Sequence, residues 1–501
     1  MVGKIMILKS MRMIGIVSIL TLTNTLSAQN TFENVYGGDM DDQGWSVQQI
    51  PDGGYIIVGQ TGYSFGGTDV YLIKTDGFGD TVWTKTFGSL NYDDIGTCVQ
   101  NTSDQGYIIT GYKVDQLIPS SADLLLIKAD SDGDQVWVKT FDYSVREYGH
   151  SVRQTSDGGY IIAGSINVRI MGGVPQDEYD VFIIKTDSSG TELWTKTYQN
   201  LDQSHGYCLQ QTSDGGYVIA GRTGSYTDGI SDMYLIKTDA SGDVLWTKTY
   251  GGSGYDCAYS VQQNANGDYI IAGYTDSYAS RGEYDISLIK TDSSGKMQWT
   301  RIYGGPYADY CTSMNLTSDE GCIISGHTKS FVLGNLDAYL IRTYSSGDTM
   351  WTRTYGGSGD DRANFVQQTS DGGYIFAGST DSKGAGSTDV YVIKTNEYGM
   401  VTDIEKPSLQ DKPASFHLAQ NFPNPFNPKT VISYQLPVSS EVDLRIYNLL
   451  GQKLVTLISE KQPTGTYRIE WDASGFASGV YFYRLETDKG FTQAKKLILL
   501  K

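Results

Sequence analysis

The chain has 501 residues, with 57 acidic and 38 basic side chains for a formal net charge of −19, 59 Gly, 37 Tyr and only 4 His. Its 39% hydrophobic and 19% charged content excludes a disordered acidic tail and a membrane helix bundle. Such acidity disfavours nucleic acid, whose phosphates need Lys and Arg, while four His disfavour a His-rich metal site and five Cys supply no disulfide framework.

Lys4, Lys9 and Arg12 precede an apolar stretch from Met13 to Leu26, and Ser27-Ala28 stands before Gln29. A basic start, a short apolar core and a small residue before the cut predict a secretory signal peptide over residues 1–28. The apolar run is short for a membrane span, and no later stretch approaches transmembrane length.

An internal repeat organises residues 29–400. A "DGGY" turn or its variant ends at Tyr55, Tyr107, Tyr160, Tyr217, Tyr269, Cys322 and Tyr374, at steps of 52, 53, 57, 52, 53 and 52 residues. A second marker, the Trp of "WTKT", recurs at Trp83, Trp137, Trp194, Trp246, Trp299 and Trp351. Each unit predicts four strands. In residues 259–303 these are "YSVQQN", "YIIAGYT", "DISLIKT" and "MQWTRIY". Strands two and three are apolar on consecutive positions, as expected of strands covered on both faces. Strand four alternates, with Lys85, Lys139 or Lys248 outward, and charge blunts an outermost edge.

Four antiparallel strands per 52-residue unit predict an all-β fold, a seven-bladed β-propeller over residues 29–400. The repeat resembles kelch-type propellers and, through hairpins such as Asp239–Trp246, the tryptophan-docking repeat of quinoprotein propellers. That resemblance implies the fold and no cofactor site. Seven turns but six such Trp is a mismatch with an address. "FENVYGG" at Phe32–Gly38 matches "WTKTYGG" with Phe32 at the Trp position. The N-terminal strand is therefore expected to complete the last blade. The Trp side chains are expected to pack between blades.

Two acidic positions recur. Asp69, Asp123, Asp180, Asp232, Asp285, Asp337 and Asp389 precede strand three. Asp42, Asp94, Glu147, Asp256, Asp309 and Asp361 stand four before the strand-one Ser position, with Ser204 in the fourth blade. Both flank loops on one face. Asp256, Asp309 and Asp361 are candidate ligand contacts there, against the alternative that each Asp caps its own loop. Ca²⁺ is the ion such oxygens would suit, and no other cofactor is expected. The blade-three loop from Ser165 to Tyr179 is about five residues longer than its counterparts. Its Arg169, Ile170 and Met171 are further candidate contacts. His150, His205 and His327 lack partners at ligand spacing, and no catalytic set, phosphate loop or zinc spacing emerges.

Residues 401–415, with Pro407 and Pro413, predict a linker. Residues 416–501 then alternate in short strands, "VISYQL", "EVDLRIYNLLG", "GTYRIEWDAS", "GVYFYRLETD" and "QAKKLILLK", which predicts a small Ig-like β-sandwich. Within it Asn421, Phe422, Pro423, Asn424, Pro425, Phe426, Asn427 and Pro428, "LRIYNLLGQKL", "SGVYFYRL" and "KKLILLK" resemble the type IX secretion C-terminal sorting domain, itself similar to the Ig-like domain of flagellar hook-capping proteins. The resemblance implies a two-membrane bacterium, passage across the outer membrane by the type IX machinery, and a secreted or surface-held product. The expected function is a binding or adhesion scaffold for a glycan or protein partner. The alternatives are a polysaccharide-acting hydrolase or lyase, and a structural surface component.

Overall fold

The computed structural model describes residues 30–402 and 415–500, except 64–66, 119–120, 168–169, 172–173, 176–177, 199–202, 225–229, 280–282, 333–334, 422–423 and 463–464. The expected signal peptide and most of the expected linker lie outside the described residues. The chain divides into two compact units, residues 1–404 and 405–501. No helix among the described residues is long and apolar enough to cross a membrane.

The first unit holds seven four-stranded antiparallel sheets, one per repeat. Blade five shows the plan. Asp256–Gln263 pairs with Tyr269–Thr275, which pairs with Asp285–Thr291, which pairs with Met297–Tyr303. The last three match expectation. Strand one starts three residues earlier than the hydrophobic run suggests, because Asp256, Cys257 and Ala258 pair with Thr275, Tyr274 and Gly273 before a bulge. Strand three is buried along its whole length in several blades, as in Asp389–Thr395. Strand four alternates outward.

The ring closes as expected. Phe32–Tyr36 is the fourth strand of the blade formed by residues 361–395, with Phe32 opposite Lys394 and Tyr36 opposite Val390. The core lies between blades. Seven apolar clusters each draw on two neighbours, and the one joining the last blade to the first holds Phe32, Val47, Ile57, Ile375 and Val392. The Trp side chains belong to these interfaces. Trp83, Trp137, Trp194, Trp246 and Trp351 meet the "DGGY" tyrosine of the next blade at centroid distances of 5.6–6.2 Å, and Phe32 meets Tyr55 at 5.7 Å. Tyr36, Tyr198, Tyr250 and Tyr355 each donate a hydroxyl to a turn-glycine carbonyl one blade on.

Each "DGG" turn is locked from below. The strand-three cation, Lys74, Lys128, Lys185, Lys237, Lys290, Arg342 or Lys394, meets an Asp of the turn of its own blade at 2.5–3.5 Å; in blade five this is Asp268, at the place of the second glycine. The second glycine leaves room for it: a Cβ on Gly373 would stand 2.4 Å from Lys394 Nζ. Burial raises the Asp157 carboxyl, but Thr155, Lys185 and the Gly159 amide outweigh it and hold it at about 2.

The second unit is a sandwich of two sheets. One contains His417–Leu418, Lys429–Leu436 and Gly465–Asp472. The other orders Lys453–Gln462, Ser440–Tyr447, Gly479–Thr487 and Thr492–Leu499. Lys453–Gln462 is a strand that the alternating pattern hides, since it is an edge strand with a mostly exposed surface. The core gathers Phe426, Ile432, Leu444, Trp471, Tyr483 and Leu497.

Phe32→Ala removes a 5% exposed ring from the closing interface. It is expected to cost about 3–5 kcal/mol, read as a lower urea midpoint at unchanged slope.

Candidate functional site

In strand one of every blade the pairing register slips by one residue. The slips lie between Gly44 and Ser46, Gly96 and Cys98, Gly149 and Ser151, Gly206 and Cys208, Ala258 and Ser260, Cys311 and Ser313, and Ala363 and Phe365. A β-bulge inserts one unpaired residue and re-aims its side chain. The inserted residues are Trp45, Thr97, His150, Tyr207, Tyr259, Thr312 and Asn364. All seven line a single cavity of about 320 Å³, so it is the central channel of the ring. Strand one is innermost because it is the first strand in each blade's order and meets strand one of the next blade.

The seven residues differ in chemistry on one repeated backbone. Thr97, Thr312 and Asn364 stitch the channel wall: their side chains donate to the carbonyls of Gly149 (2.7 Å), Ala363 (2.6 Å) and Gly44 (2.8 Å), one blade on. Trp45 Nε1 donates to Gln60 Oε1 at 3.2 Å. The opposite arc is aromatic. Tyr207 and Tyr259 stack with centroids 4.7 Å apart and planes 5° apart, and His150 lies 5.4 Å from Tyr207. Arg222 Nε donates to the Tyr207 hydroxyl at 3.2 Å. Tyr112, Phe365, Ser151, Ser260, Ser313 and Gln262 also face the cavity. Arg153 is the one charged residue among its lining. The five cysteines are free thiols, and Cys98 and Cys208 line the channel at equivalent positions.

Burial sets the protonation here. It pushes His150 down to about 4 and His327, with help from Arg362, down to about 4. His205 falls to about 3 through burial, Arg222 and His150. All three rings are neutral at pH 7. Burial likewise raises the Tyr207 and Tyr259 hydroxyls, so both stay protonated donors.

The residues expected as contacts lie elsewhere. Asp256, Asp309 and Asp361 are at most 1% exposed, so they offer no open ligand surface. Each turns inward onto its own loop. Asp256 accepts from Gly252 and Ser277, Asp309 from Gly305 and Ser330, and Asp361 from Gly357 and Ser382, at 2.6–3.0 Å. A short carboxylate beside tightly turning backbone amides caps them in preference to facing water. Arg169 lies outside the described residues. Ile170–Met171 pairs with Val174–Pro175 in a two-stranded hairpin at the tip of the long blade-three loop.

The Asn421–Pro428 segment is built into the sandwich, apart from Phe422 and Pro423, which lie outside the described residues. Asn421 is buried and its amide donates to the Tyr483 hydroxyl at 2.8 Å. Asn424 takes the Ile498 amide at 2.9 Å and gives its own side-chain N–H to the Lys496 carbonyl. Phe426 exchanges backbone bonds with Ile498 and Leu500 and packs on Trp471. Asn424-Pro425 and Asn427-Pro428 are cis. Ala473 N donates to the Pro428 carbonyl. The motif thus ties the start of this unit to its last strand, Thr492–Leu499.

Sequence reasoning missed the bulge ring because the hydrophobic run begins at the bulge. The signal is present: a small residue, a variable residue, then Ser or Cys in six units, with Phe365 in the seventh. A neutral His150 predicts pH dependence. Its folded pKa lies below the unfolded value of about 6.5, so its contribution is full above pH 6.5 and is lost as pH falls toward 4. His150→Gln is expected to recover on the order of 2 kcal/mol of that loss, measured as urea midpoints at pH 7 and pH 4.

Residues 420–500 match the family model of the secretion system C-terminal sorting domain. Over 364 residues the chain is 23% identical to the regulatory protein FlaEY of Caulobacter vibrioides, covering 60% of this chain and 37% of that protein. The chain therefore spans just over a third of the length of that curated relative. Among solved structures, it is similar to the extracellular domain of the two component system BT3049 from B. thetaiotaomicron, with TM-score 0.41, 11% identity, and 92% and 55% of the two chains covered. It is similar also to the Neurospora crassa Pan2 WD40 domain, with TM-score 0.41, 10% identity, and 75% and 99% covered. The chain is a repeat β-propeller whose residues 420–500 form a type IX secretion C-terminal sorting domain, which marks a secreted or cell-surface protein.

Proposed function

We propose that this is a binding protein whose central channel takes a compact, neutral, hydroxyl-rich ligand, such as the end of a glycan chain. The bulge ring carries the reading. Seven equivalent backbone positions converge on one cavity and bear five kinds of side chain, Trp, Thr, His, Tyr and Asn. A structural repeat has no need of that variety, whereas a ligand without sevenfold symmetry does. The cavity of about 320 Å³ falls at the lower end of ligand pockets, roughly 300–1,000 Å³. Its aromatic arc offers apolar contact to a ring. Its hydroxyls and amides offer hydrogen bonds that a desolvated neutral ligand needs.

Hydrolysis of polysaccharide is the second reading. It needs two carboxyl groups flanking a bond. The cavity lining contains neither Asp nor Glu, which favours binding over turnover. Export through a signal peptide at residues 1–28 belongs to the same proposal, since a type IX tail acts after transfer out of the cytoplasm.

Three measurements test this. The purified chain is expected to bind a subset of a glycan array, and Tyr259→Ala to weaken that binding by about tenfold, in line with loss of one ring contact of about 1.4 kcal/mol. No polysaccharide is expected to be hydrolysed; turnover that survives purification overturns the reading, as does array binding unaffected by Tyr259→Ala and Tyr207→Ala. Intact-mass analysis of the exported protein is expected to place its first residue at Gln29.

A further inference from the structure

The connector between blades two and three departs from the repeat at two positions together. Gly37, Gly88, Gly251, Gly304 and Gly356 follow strand four at the other junctions with this pattern, and Asp142 stands at the equivalent place. At Gly37, Gly251, Gly304 and Gly356 two carboxylates from neighbouring blades close over the backbone, and at Gly88 Asp69 does so. A Cβ on Gly251 would lie 2.2 Å from Asp232 Oδ1 and 2.6 Å from Asp256 Oδ2, and one on Gly304 2.0 and 2.8 Å from Asp285 and Asp309. A side chain is excluded there while the pair stays closed. Blade three also carries Glu147 where the other acidic junctions carry Asp. The longer side chain and the added carboxylate occur at the same junction.

Asp123, Asp142 and Glu147 consequently converge. One carboxylate oxygen of each lies within 4.8 Å of the other two. Glu147 is fully buried. Its carboxylate accepts the Tyr143 amide, at 3.3 Å to Oε1, and the Ser144 amide, while Oε2 is buried without a close donor. Asp42 and Asp309 also strand an oxygen, but each faces a glycine junction. Lys113, the cation that acts on Asp123, donates to Ser89 Oγ at 2.7 Å. A buried carboxylate oxygen beside two further carboxylates is stabilised by an added positive charge. Asp142 is exposed and leaves a path from solvent.

We propose that Asp123, Asp142 and Glu147 hold a hard divalent cation, Ca²⁺, that ties blade two to blade three. Oxygens bound to one Ca²⁺ at roughly 2.3–2.6 Å are at most about 5 Å apart, which the cluster satisfies. The donor set is all oxygen, with no His or Cys to favour zinc. Three carboxylates from a strand, a connector and a second strand leave the remaining positions to water. That suits the affinity of extracellular modules, on the order of 10⁻⁴–10⁻³ M.

The test uses the full secreted chain, treated with EDTA and titrated with CaCl₂ to about 5 mM, above that range. Unfolding temperature is expected to rise with Ca²⁺, and Tb³⁺ luminescence sensitised by nearby tyrosine is expected to be displaced by Ca²⁺. Asp142→Gly installs the residue that five other junctions carry, so it keeps the fold. It is expected to weaken Ca²⁺ binding by about tenfold or more and to abolish the thermal shift. Glu147→Gln is expected to do the same. No Ca²⁺ response in the unaltered chain overturns the proposal, as does an equal response in Asp142→Gly. Displacement of Tb³⁺ by Mg²⁺ as readily as by Ca²⁺ overturns the choice of ion.

Discussion

Each blade depends on a cation, buried in five blades and partly buried at Lys74 and Lys290, that is held by the turn of its own first hairpin. Strand three is covered on both faces, yet it carries a Lys or Arg in all seven blades. Such a charge is tolerated only when a counter-charge and hydrogen bonds surround it. The turn Asp supplies the charge, and the carbonyl following the lysine supplies another acceptor, as in Lys185 Nζ to Thr186 O at 2.9 Å. Because that Asp belongs to the turn joining strands one and two, one interaction fixes three strands. It also explains the paired glycines. The first adopts positive φ, as at Gly158 (83°), and the second gives the cation passage. Arg342 extends the clamp to the next blade by donating to the Tyr374 hydroxyl at 2.7 Å.

With blades held this way, the interfaces between them become interchangeable in form. Every junction has a strand-four aromatic meeting the next blade, a tyrosine hydroxyl on a turn carbonyl in most, and an apolar cluster from strands two and three. Ring closure uses the same parts: Phe32 replaces Trp and Tyr36 replaces the usual "KTY" tyrosine. The closing strand therefore needs no special chemistry. It needs only to arrive from the other end of the chain.

Much of this was legible in the residues themselves. The 52-residue step, the seven turns and the displaced Phe32 lead to the ring and its closure, because a repeat states its own geometry many times. The terminal motifs lead to the sorting tail for a similar reason: several short segments match in order. Other features were not legible. Asp256, Asp309 and Asp361 look available as a row of acids, but whether a carboxylate faces solvent or its own loop depends on where Ser277, Ser330 and Ser382 fall in space. The strand Lys453–Gln462 escaped because an edge strand needs little apolar alternation.

By itself the sequence determined the fold class, the blade count, the closing strand and the export tail. These follow from local chemistry repeated along the chain: turn residues, apolar runs and motif order. Only the tertiary structure decided which side chains share a space. A bulge is a mismatch between two strands, so a single strand cannot reveal that Trp45, His150, Tyr207 and Tyr259 enter the channel. Likewise Asp123, Asp142 and Glu147 are separated by up to 24 residues and belong to two blades. They meet because neighbouring blades pack face to face, and no spacing along one repeat records that contact.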